Sequence, residues 1–165
     1  MTQGVPVTSV ALGPDLRVTE QNQIYYLQGV LNENSELSAL LVYPAPLALN
    51  FRYVERFNSV GIRNLLRFLQ QWGAKPLRYL DCPSELINQI SMIPSLLGFP
   101  KPIAKVETLF VPYECTSCDH ECEILAPLED FAPVATGEAP RSNPCPKCGK
   151  MMEVASDTFF AFLES

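Results

Sequence analysis

Residues 47–73 decide the fold, and they read LALNFRYVERFNSVGIRNLLRFLQQWG. Apolar and polar residues alternate over the first eight positions, a period of two that predicts a β-strand. One face of this strand carries Leu47, Leu49, Phe51 and Tyr53. Beyond Asn58 and Ser59, both of residue types that cap helices, apolar residues recur every three or four positions and predict a helix. This apolar stripe consists of Ile62, Leu65, Leu66, Leu69 and Trp72. Gly73 then ends the helix.

Similar patterns surround this strand–helix pair. The predicted elements are strands at residues 16–19 and 24–27, a short helix at 35–41, a strand at 76–80 and a helix at 84–93. Ser84 is the predicted cap of the last helix. Because strands and helices alternate along the chain, we predict an α/β fold in which helices pack on a mixed sheet.

Proline and charge divide the chain into domains. Residues 1–14 are small and punctuated by Pro and Gly, which predicts a flexible N-terminal arm before the α/β domain at residues 15–100. Pro100 and Pro102 mark a linker to a second domain at residues 101–165. Its predicted strands are residues 106–113, 121–125, 151–154 and 158–163. Residues 126–144 are acidic and Pro-rich without periodicity, and predict an exposed loop.

The run from Leu49 to Leu66, LNFRYVERFNSVGIRNLL, places Asn58-Ser59-Val60-Gly61-Ile62 at the start of the predicted helix. This pattern resembles the core of the STAS family, the anti-sigma-factor-antagonist-like domains, in which a strand, an Asp-Ser-x-Gly-Leu/Ile segment and a helix follow one another. Leu27-Gln28-Gly29-Val30-Leu31 is similar to the family's Leu-Gly-x-Leu segment, and residues 77–93 are similar to its last strand and helix. The resemblance covers residues 15–98. It implies a STAS-like mixed sheet and a function in binding partner proteins.

Ser59 stands where some members of this family are phosphorylated by a kinase, and Asn58 stands where the family has Asp. The resemblance therefore implies a phospho-acceptor and partner-binding site at Asn58, Ser59 and Gly61. A phosphate at Ser59 would meet the positive end of the helix and add a charge of about −1.5 to −2. Arg56 and Arg63 are near enough in sequence to pair with it. The alternative is that Asn58 and Ser59 only cap the helix.

Two Cys-x-x-Cys pairs dominate the second domain. They are Cys115-Thr116-Ser117-Cys118 and Cys145-Pro146-Lys147-Cys148, separated by 26 residues. Four soft thiolates suit one closed, tetrahedral Zn²⁺ site, which stabilises a fold and leaves no coordination position open for catalysis. With a predicted strand beside each pair, the pattern resembles a rubredoxin-like zinc ribbon over residues 105–165. We therefore predict one structural Zn²⁺ and a small all-β zinc ribbon.

Three alternatives remain open for these cysteines. Iron could bind to the same four sulfur atoms. A thiol redox role would normally use one pair in a βαβ setting, which this segment lacks. Cys122 or His120 could replace one ligand, although Cys122 lies on a predicted strand and packing is the simpler role. Cys82 is expected to be a small buried hydrophobic residue.

The charge distribution argues against nucleic-acid binding. Residues 1–105 contain nine Lys/Arg and seven Asp/Glu, whereas residues 106–165 contain three Lys/Arg and eleven Asp/Glu. Binding to nucleic acid normally requires a basic surface, and this acidic second domain would repel phosphate. The sequence carries one His and no Gly-rich phosphate loop, so no catalytic constellation stands out. No signal peptide or bilayer-spanning run is recognised, so we expect a cytoplasmic, bacterial protein.

These observations predict a non-catalytic interaction or signalling module, not an enzyme. Its expected partner is a protein, such as a kinase, an anti-sigma-like factor or a signalling complex, and a homodimer is also compatible with these patterns. The first alternative is a small-ligand-binding domain or a subunit of an enzyme or transporter complex. A nucleic-acid-binding zinc ribbon is the least favoured alternative.

Overall fold

The computed structural model describes residues 8–163. The chain forms two compact units. The N-terminal unit comprises Met1–Leu80 and Ser95–Val106, and the C-terminal unit comprises Asp81–Pro94 and Glu107–Ser165. One unit contains a mixed sheet and the other an antiparallel sheet, which confirms the predicted mixed α/β class.

The sheet of the N-terminal unit has six strands. They are β1 (Thr8–Ala11), β2 (Leu16–Gln21), β3 (Ile24–Leu31), β4 (Leu47–Phe57), β5 (Leu77–Leu80) and β6 (Ala104–Val106), in that spatial order. The pairs β1–β2 and β2–β3 are antiparallel, whereas β3–β4, β4–β5 and β5–β6 are parallel. The sheet is therefore mixed, as predicted.

β4 differs from the predicted one-sided strand. All of its first five residues are buried, including Ala48 and Asn50 on the face predicted to be polar. Tyr53, predicted to share the apolar face, is 50% exposed. A register shift where β4 passes Tyr26 and Gln28 of β3 inserts an extra residue, and such a bulge changes which face the following side chains occupy.

Helix α1 (Ser59–Trp72) follows β4 and buries the predicted apolar stripe, except that Leu66 is only half-buried. It ends at Gly73, whose φ of 78° is a conformation that glycine adopts at little cost. The short helix predicted at residues 35–41 is instead a 3₁₀ helix, Leu37–Val42, with Leu37 and Leu40 buried.

The C-terminal unit contains α2 (Ser84–Met92), β7 (Thr108–Glu114), β8 (Glu121–Pro127), β9 (Asn143–Pro144) and β10 (Met151–Val154). Its antiparallel strands are ordered β8-β7-β10-β9. Pro83 occupies the cap position of α2, so the prediction that Ser84 caps this helix is wrong. Ser84 is the first helical residue, and its hydroxyl is hydrogen-bonded to the carboxylate of Glu123.

Three further predictions about local structure need correction. Of the predicted flexible arm, residues 8–11 form β1, and residues 1–7 lie outside the described residues. The predicted loop at 126–144 contains a 3₁₀ helix, Leu128–Thr136, and β9. The predicted strand at 158–163 forms turns and the 3₁₀ helix Ala161–Leu163.

Aromatic packing explains the last two corrections. Phe131 stacks on Phe160 with ring centroids 4.6 Å apart, and Phe159 meets Phe160 edge-on at 4.9 Å. All three side chains are buried, so they form a core without the spacing of either a helix or a strand.

The compact units do not coincide with the predicted domains. The prediction assigned residues 84–93 to the first domain, whereas α2 belongs to the C-terminal unit and Ser95–Val106 belongs to the N-terminal unit. Because compactness does not test independent folding, the boundary near residue 100 stays a prediction. No helix within residues 8–163 is long and apolar enough to cross a bilayer.

Candidate metal centre

The four paired cysteines lie in two turns of the antiparallel sheet. Cys115 directly follows β7, and β8 begins after its turn; Cys145 directly follows β9, and β10 begins after the second turn. β7 and β10 are antiparallel neighbours, with Glu114 opposite Glu153. This register places both turns at the same end of the sheet, although the pairs are far apart in sequence.

Backbone hydrogen bonds shape the first turn. The N–H of Cys115 donates to the carbonyl oxygen of His120 at 2.8 Å, and the N–H of Asp119 donates to that of Cys115 at 2.8 Å. Asp119 has a φ of 58°, in the left-handed region. The chain therefore reverses around Cys118 and returns into β8.

The second turn repeats this pattern. The N–H of Cys145 donates to the carbonyl oxygen of Lys150 at 2.7 Å, and the N–H of Gly149 donates to that of Cys145 at 2.9 Å. Gly149, at the position equivalent to Asp119, has a φ of 77°. The N–H of Lys147 also points to Cys145 Sγ at 3.4 Å. Two segments of different sequence thus form the same knuckle.

The four sulfur atoms converge. Cys115 Sγ lies 3.5 Å from Cys148 Sγ, Cys118 Sγ lies 3.7 Å from Cys145 Sγ, and all four lie within 4.8 Å of one another. A disulfide would require about 2.05 Å between sulfur atoms. Zn–S bonds of about 2.3 Å in a tetrahedron separate the sulfur atoms by about 3.8 Å. The geometry fits four ligands of one metal ion.

The electrostatics of the thiols also favour a bound cation. Burial raises the pKa of Cys115, but the N–H groups of Ser117 and Cys118 and the neighbouring thiols outweigh it and lower this pKa to about 7. The N–H of His120 lowers the pKa of Cys118, but burial and the three neighbouring sulfur atoms raise it to about 12. Like charges this close oppose full ionisation, so four thiolates together require a positive ion among them.

The two knuckles make a testable pair of substitutions. Gly149→Ala is expected to lower the free energy of unfolding of the metal-loaded chain by about 1–2 kcal/mol, because Ala is strained at this φ although its Cβ would meet no atom within 4 Å. Asp119→Gly removes a side chain from the same conformation and is expected to change stability by less than about 0.5 kcal/mol. Urea unfolding measures both, and equal losses would contradict this account.

The neighbouring candidates are not among the converging ligands. His120 contributes its backbone carbonyl to the first knuckle. Cys122 lies on β8 with its Sγ 3.9 Å from Met152 Sδ, outside the group of four sulfur atoms. Cys82 is fully buried, and burial raises the pKa of its thiol. Packing accounts for both of these cysteines.

The second predicted site lies at the start of α1, where the structure gives Asn58 and Ser59 different roles. Asn58 caps the helix, because its Oδ1 accepts a hydrogen bond from the N–H of Gly61 at 2.7 Å. Its Nδ2 donates to Glu33 Oε2 at 2.7 Å. Ser59 is the first helical residue and is exposed, as are Arg56 and Arg63. The capping role predicted for both residues therefore belongs to Asn58.

A polar network that sequence reasoning missed fixes this end of α1. Asn64 Nδ2 donates to the carbonyl oxygens of Asn32 at 3.1 Å and Ser35 at 3.3 Å. The N–H of Asn32 donates to the Ser35 hydroxyl at 2.9 Å, and Ser35 is buried. The sequence pattern predicts only a short helix from residue 35, and no local signal in residues 32–35 marks their contact with Asn64 of α1.

Asn58→Ala is expected to destabilise the chain by about 1 kcal/mol, because it removes the helix cap. Ser59→Ala is the matched control and should change stability by only a few tenths of a kcal/mol, since Ser59 is exposed and does not cap. Thermal or urea unfolding of the two variants tests this assignment. A larger loss for Ser59→Ala than for Asn58→Ala would reverse the roles of the two residues.

Comparison with known proteins gives one relative to report. The chain is 25% identical over 163 residues to the leucine--tRNA ligase of Aliarcobacter butzleri (strain RM4018), a match that covers 98% of this chain and 18% of that protein. The chain thus spans less than a fifth of the length of this relative. No family model matches the sequence, and no solved structure matches it.

Proposed function

We propose that this protein is a non-catalytic protein-interaction module, with a STAS-like N-terminal unit that binds a partner around Ser59 and a C-terminal zinc ribbon. The observation that carries the proposal is that Asn58 and Ser59 have different roles at the start of α1. Asn58 caps the helix, so Ser59 is left exposed at the positive helix end with Arg56 and Arg63 also exposed. A surface of this kind suits reversible recognition.

The exposed surface continues along α1. Leu66, Leu69, Gln70, Ser95 and Phe99 line a cavity of about 220 Å³. Phe99, which is 85% exposed, lines this cavity together with Leu66 and Leu69, and apolar side chains grouped along a groove are typical of interaction surfaces. Along its whole length α1 carries Arg63 and Arg67 and no Asp or Glu, so the surface would favour a partner with acidic and apolar groups.

Zn²⁺ is the metal proposed for the four cysteines. Closed four-thiolate sites in proteins are typical of structural zinc, and such a site supplies folding stability without an open position for substrate. Cys115, Cys118, Cys145 and Cys148 would hold it. The metal would then maintain the C-terminal unit and take no part in chemistry.

Site-specific crosslinking tests the interaction. A photoreactive amino acid at position 63 is expected to give a discrete covalent adduct with one partner protein in cells of the native host. The same group at Lys105, an exposed residue of the same unit, is the control and should give no such adduct. Identical adducts at both positions, or none at position 63, would refute partner binding at this surface.

The phospho-switch is a separate part of the proposal. The intact mass of protein purified from the host is expected to include a species heavier by one phosphoryl group, which Ser59→Ala removes. A mass gain that persists in Ser59→Ala would exclude Ser59 as the acceptor. The interaction could then still be judged by the crosslinking result.

A second candidate function follows from the similarity to a segment of a leucine--tRNA ligase. A module that matches over nearly its full length inside a longer enzyme could serve as an accessory part of an enzyme complex. The C-terminal unit has three Lys/Arg against thirteen Asp/Glu, which favours contact with protein over contact with tRNA. Co-purification with the host's leucine--tRNA ligase, without a gel shift of tRNA, would support this candidate.

A further inference from the structure

β8 is an edge strand of the C-terminal sheet. It pairs with β7 along its whole length, from Glu121 opposite Glu114 to Pro127 opposite Thr108. In the strand order β8-β7-β10-β9, no strand of the described chain pairs with its other side. An unpaired edge of seven residues is long for a small sheet and presents free backbone groups.

Hydrogen bonds on the far side of β7 show which groups of β8 are free. The N–H of Phe110 donates to Cys82, and the carbonyls of Thr108 and Pro112 accept from Cys82 and Ala155. These even-numbered residues of β7 therefore point away from β8, and the odd-numbered ones point toward it.

The pairing register carries this alternation across to β8. Cys122, Ile124 and Ala126 stand opposite odd-numbered residues of β7 and direct their backbone groups at it. The N–H and C=O groups of Glu121, Glu123 and Leu125 consequently point out of the sheet edge. The backbone groups of Pro127 also point outward, so the absence of an N–H at this proline costs no hydrogen bond to β7.

The side chains on this edge are acidic and lie beside further acids. Glu114 stands directly opposite Glu121 on one side and Glu153 on the other, so three exposed glutamates form a row across the sheet. Like charges in directly opposite positions are destabilising. In the described part of the chain, no Lys or Arg forms an ion pair with any of these three. This row of glutamates is therefore available to pair with a positively charged group of another molecule.

We propose that the free edge of β8 binds an extended, basic segment of a partner protein by strand addition. The segment would place Lys or Arg at two alternate positions beside Glu121 and Glu123, and an apolar residue beside Leu125, which is 40% exposed. A second copy of this chain does not fit, because pairing two such edges would bring glutamates together. The surface is distinct from the one around Ser59, so either can fail without the other.

A peptide series tests this binding on the full, metal-loaded chain. The probe is a fluorescent seven-residue peptide, matched to the length of β8, that carries Lys, Lys and Val at successive alternate positions and Thr at the others. We expect saturable binding, with amide shifts in NMR spectra concentrated at Glu121, Glu123 and Leu125. Two changes to this peptide should each abolish binding. One is N-methylation of the alternate residues whose N–H groups would face β8, and the other is Glu in place of Lys. Binding that survives N-methylation is non-specific charge attraction and would overturn the proposal, as would no binding at all.

Two variants of the chain complete the test. Leu125→Pro removes one outward N–H without touching the ladder with β7, and it should weaken binding at least tenfold while the metal is retained. Glu121→Gln with Glu123→Gln keeps hydrogen-bond acceptors, including the one used by Ser84, and should weaken binding about tenfold and reduce its salt dependence. Glu138→Gln, an exposed acid off the sheet, is the control. Equal effects of all three would overturn the proposal.

Discussion

Cys145→Ser is expected to abolish tight metal binding and unfold the C-terminal unit. Cys145 is buried, and its Sγ lies 3.7 Å from Cys118 Sγ within the group of four sulfur atoms. Apparent binding free energies of structural zinc are about 10–16 kcal/mol, as large as the whole stability of a typical domain. Even outer-sphere partners of a metal typically change affinity by about 10–100-fold, so losing a ligand should cost more.

The loss of metal binding is measured as the metal content of the protein after incubation with a chelator and gel filtration. We expect one equivalent of zinc in the wild-type chain and almost none in Cys145→Ser. Limited proteolysis measures the unfolding of the C-terminal unit, with new cleavage expected after residue 107. Trp72 is the only Trp and is buried in the N-terminal unit, so its emission reports on that unit separately. An unchanged emission in the variant would support the predicted independence of the first domain.

Cys122→Ser is the matched control, because it makes the same chemical change at a cysteine on β8 outside the group. It should retain the metal and the protease resistance of the wild-type chain. Metal loss in Cys122→Ser but not in Cys145→Ser would mean that the ligand set is wrong. One equivalent of iron in place of zinc would correct the metal and leave the ligands as assigned.

The sequence predicted the features that depend on local pattern. The spacing of the cysteines identified all four converging residues, because a knuckle is a local structure of a few residues. The 3/4 period of α1 and the position of Gly73 identified this helix for the same reason. Predicting that both knuckles contribute to one metal site required only one further condition, that the two turns lie at the same end of a sheet.

Features that depend on distant contacts were not predictable. Phe131, Phe159 and Phe160 form a core only because residues nearly 30 positions apart in the chain meet, and nothing periodic marks them.

The different roles of Asn58 and Ser59 were not predictable for another reason, because both residue types cap helices. The capping residue is decided by where the helix begins: Asn58 has the extended conformation that precedes the first turn, and Ser59 is already helical.

Gly61→Ala is expected to destabilise the chain by more than about 3 kcal/mol, or to prevent folding of the N-terminal unit. Gly61 is a buried helical residue of α1, and its neighbours are backbone atoms at the end of β3. A Cβ there would overlap the carbonyl of Leu31 and lie 2.8 Å from the N atom of Asn32. Neither atom can rotate away as a side chain could. The glycine that resembled part of a partner-binding motif is therefore required for the close approach of α1 to the sheet.

Gly73→Ala is the matched control, since it adds the same methyl group at the other end of the same helix, where a Cβ meets no atom within 4 Å. It should cost only about 1–2 kcal/mol, through its positive φ. Urea unfolding followed by Trp72 emission compares the two variants. If Gly61→Ala were no more costly than Gly73→Ala, α1 would have to sit farther from β3. In that case Asn58 Nδ2 could not reach Glu33, and Asn64 Nδ2 could not reach the carbonyl of Asn32, so the hydrogen bonds that tie the start of α1 to the preceding segment would not form.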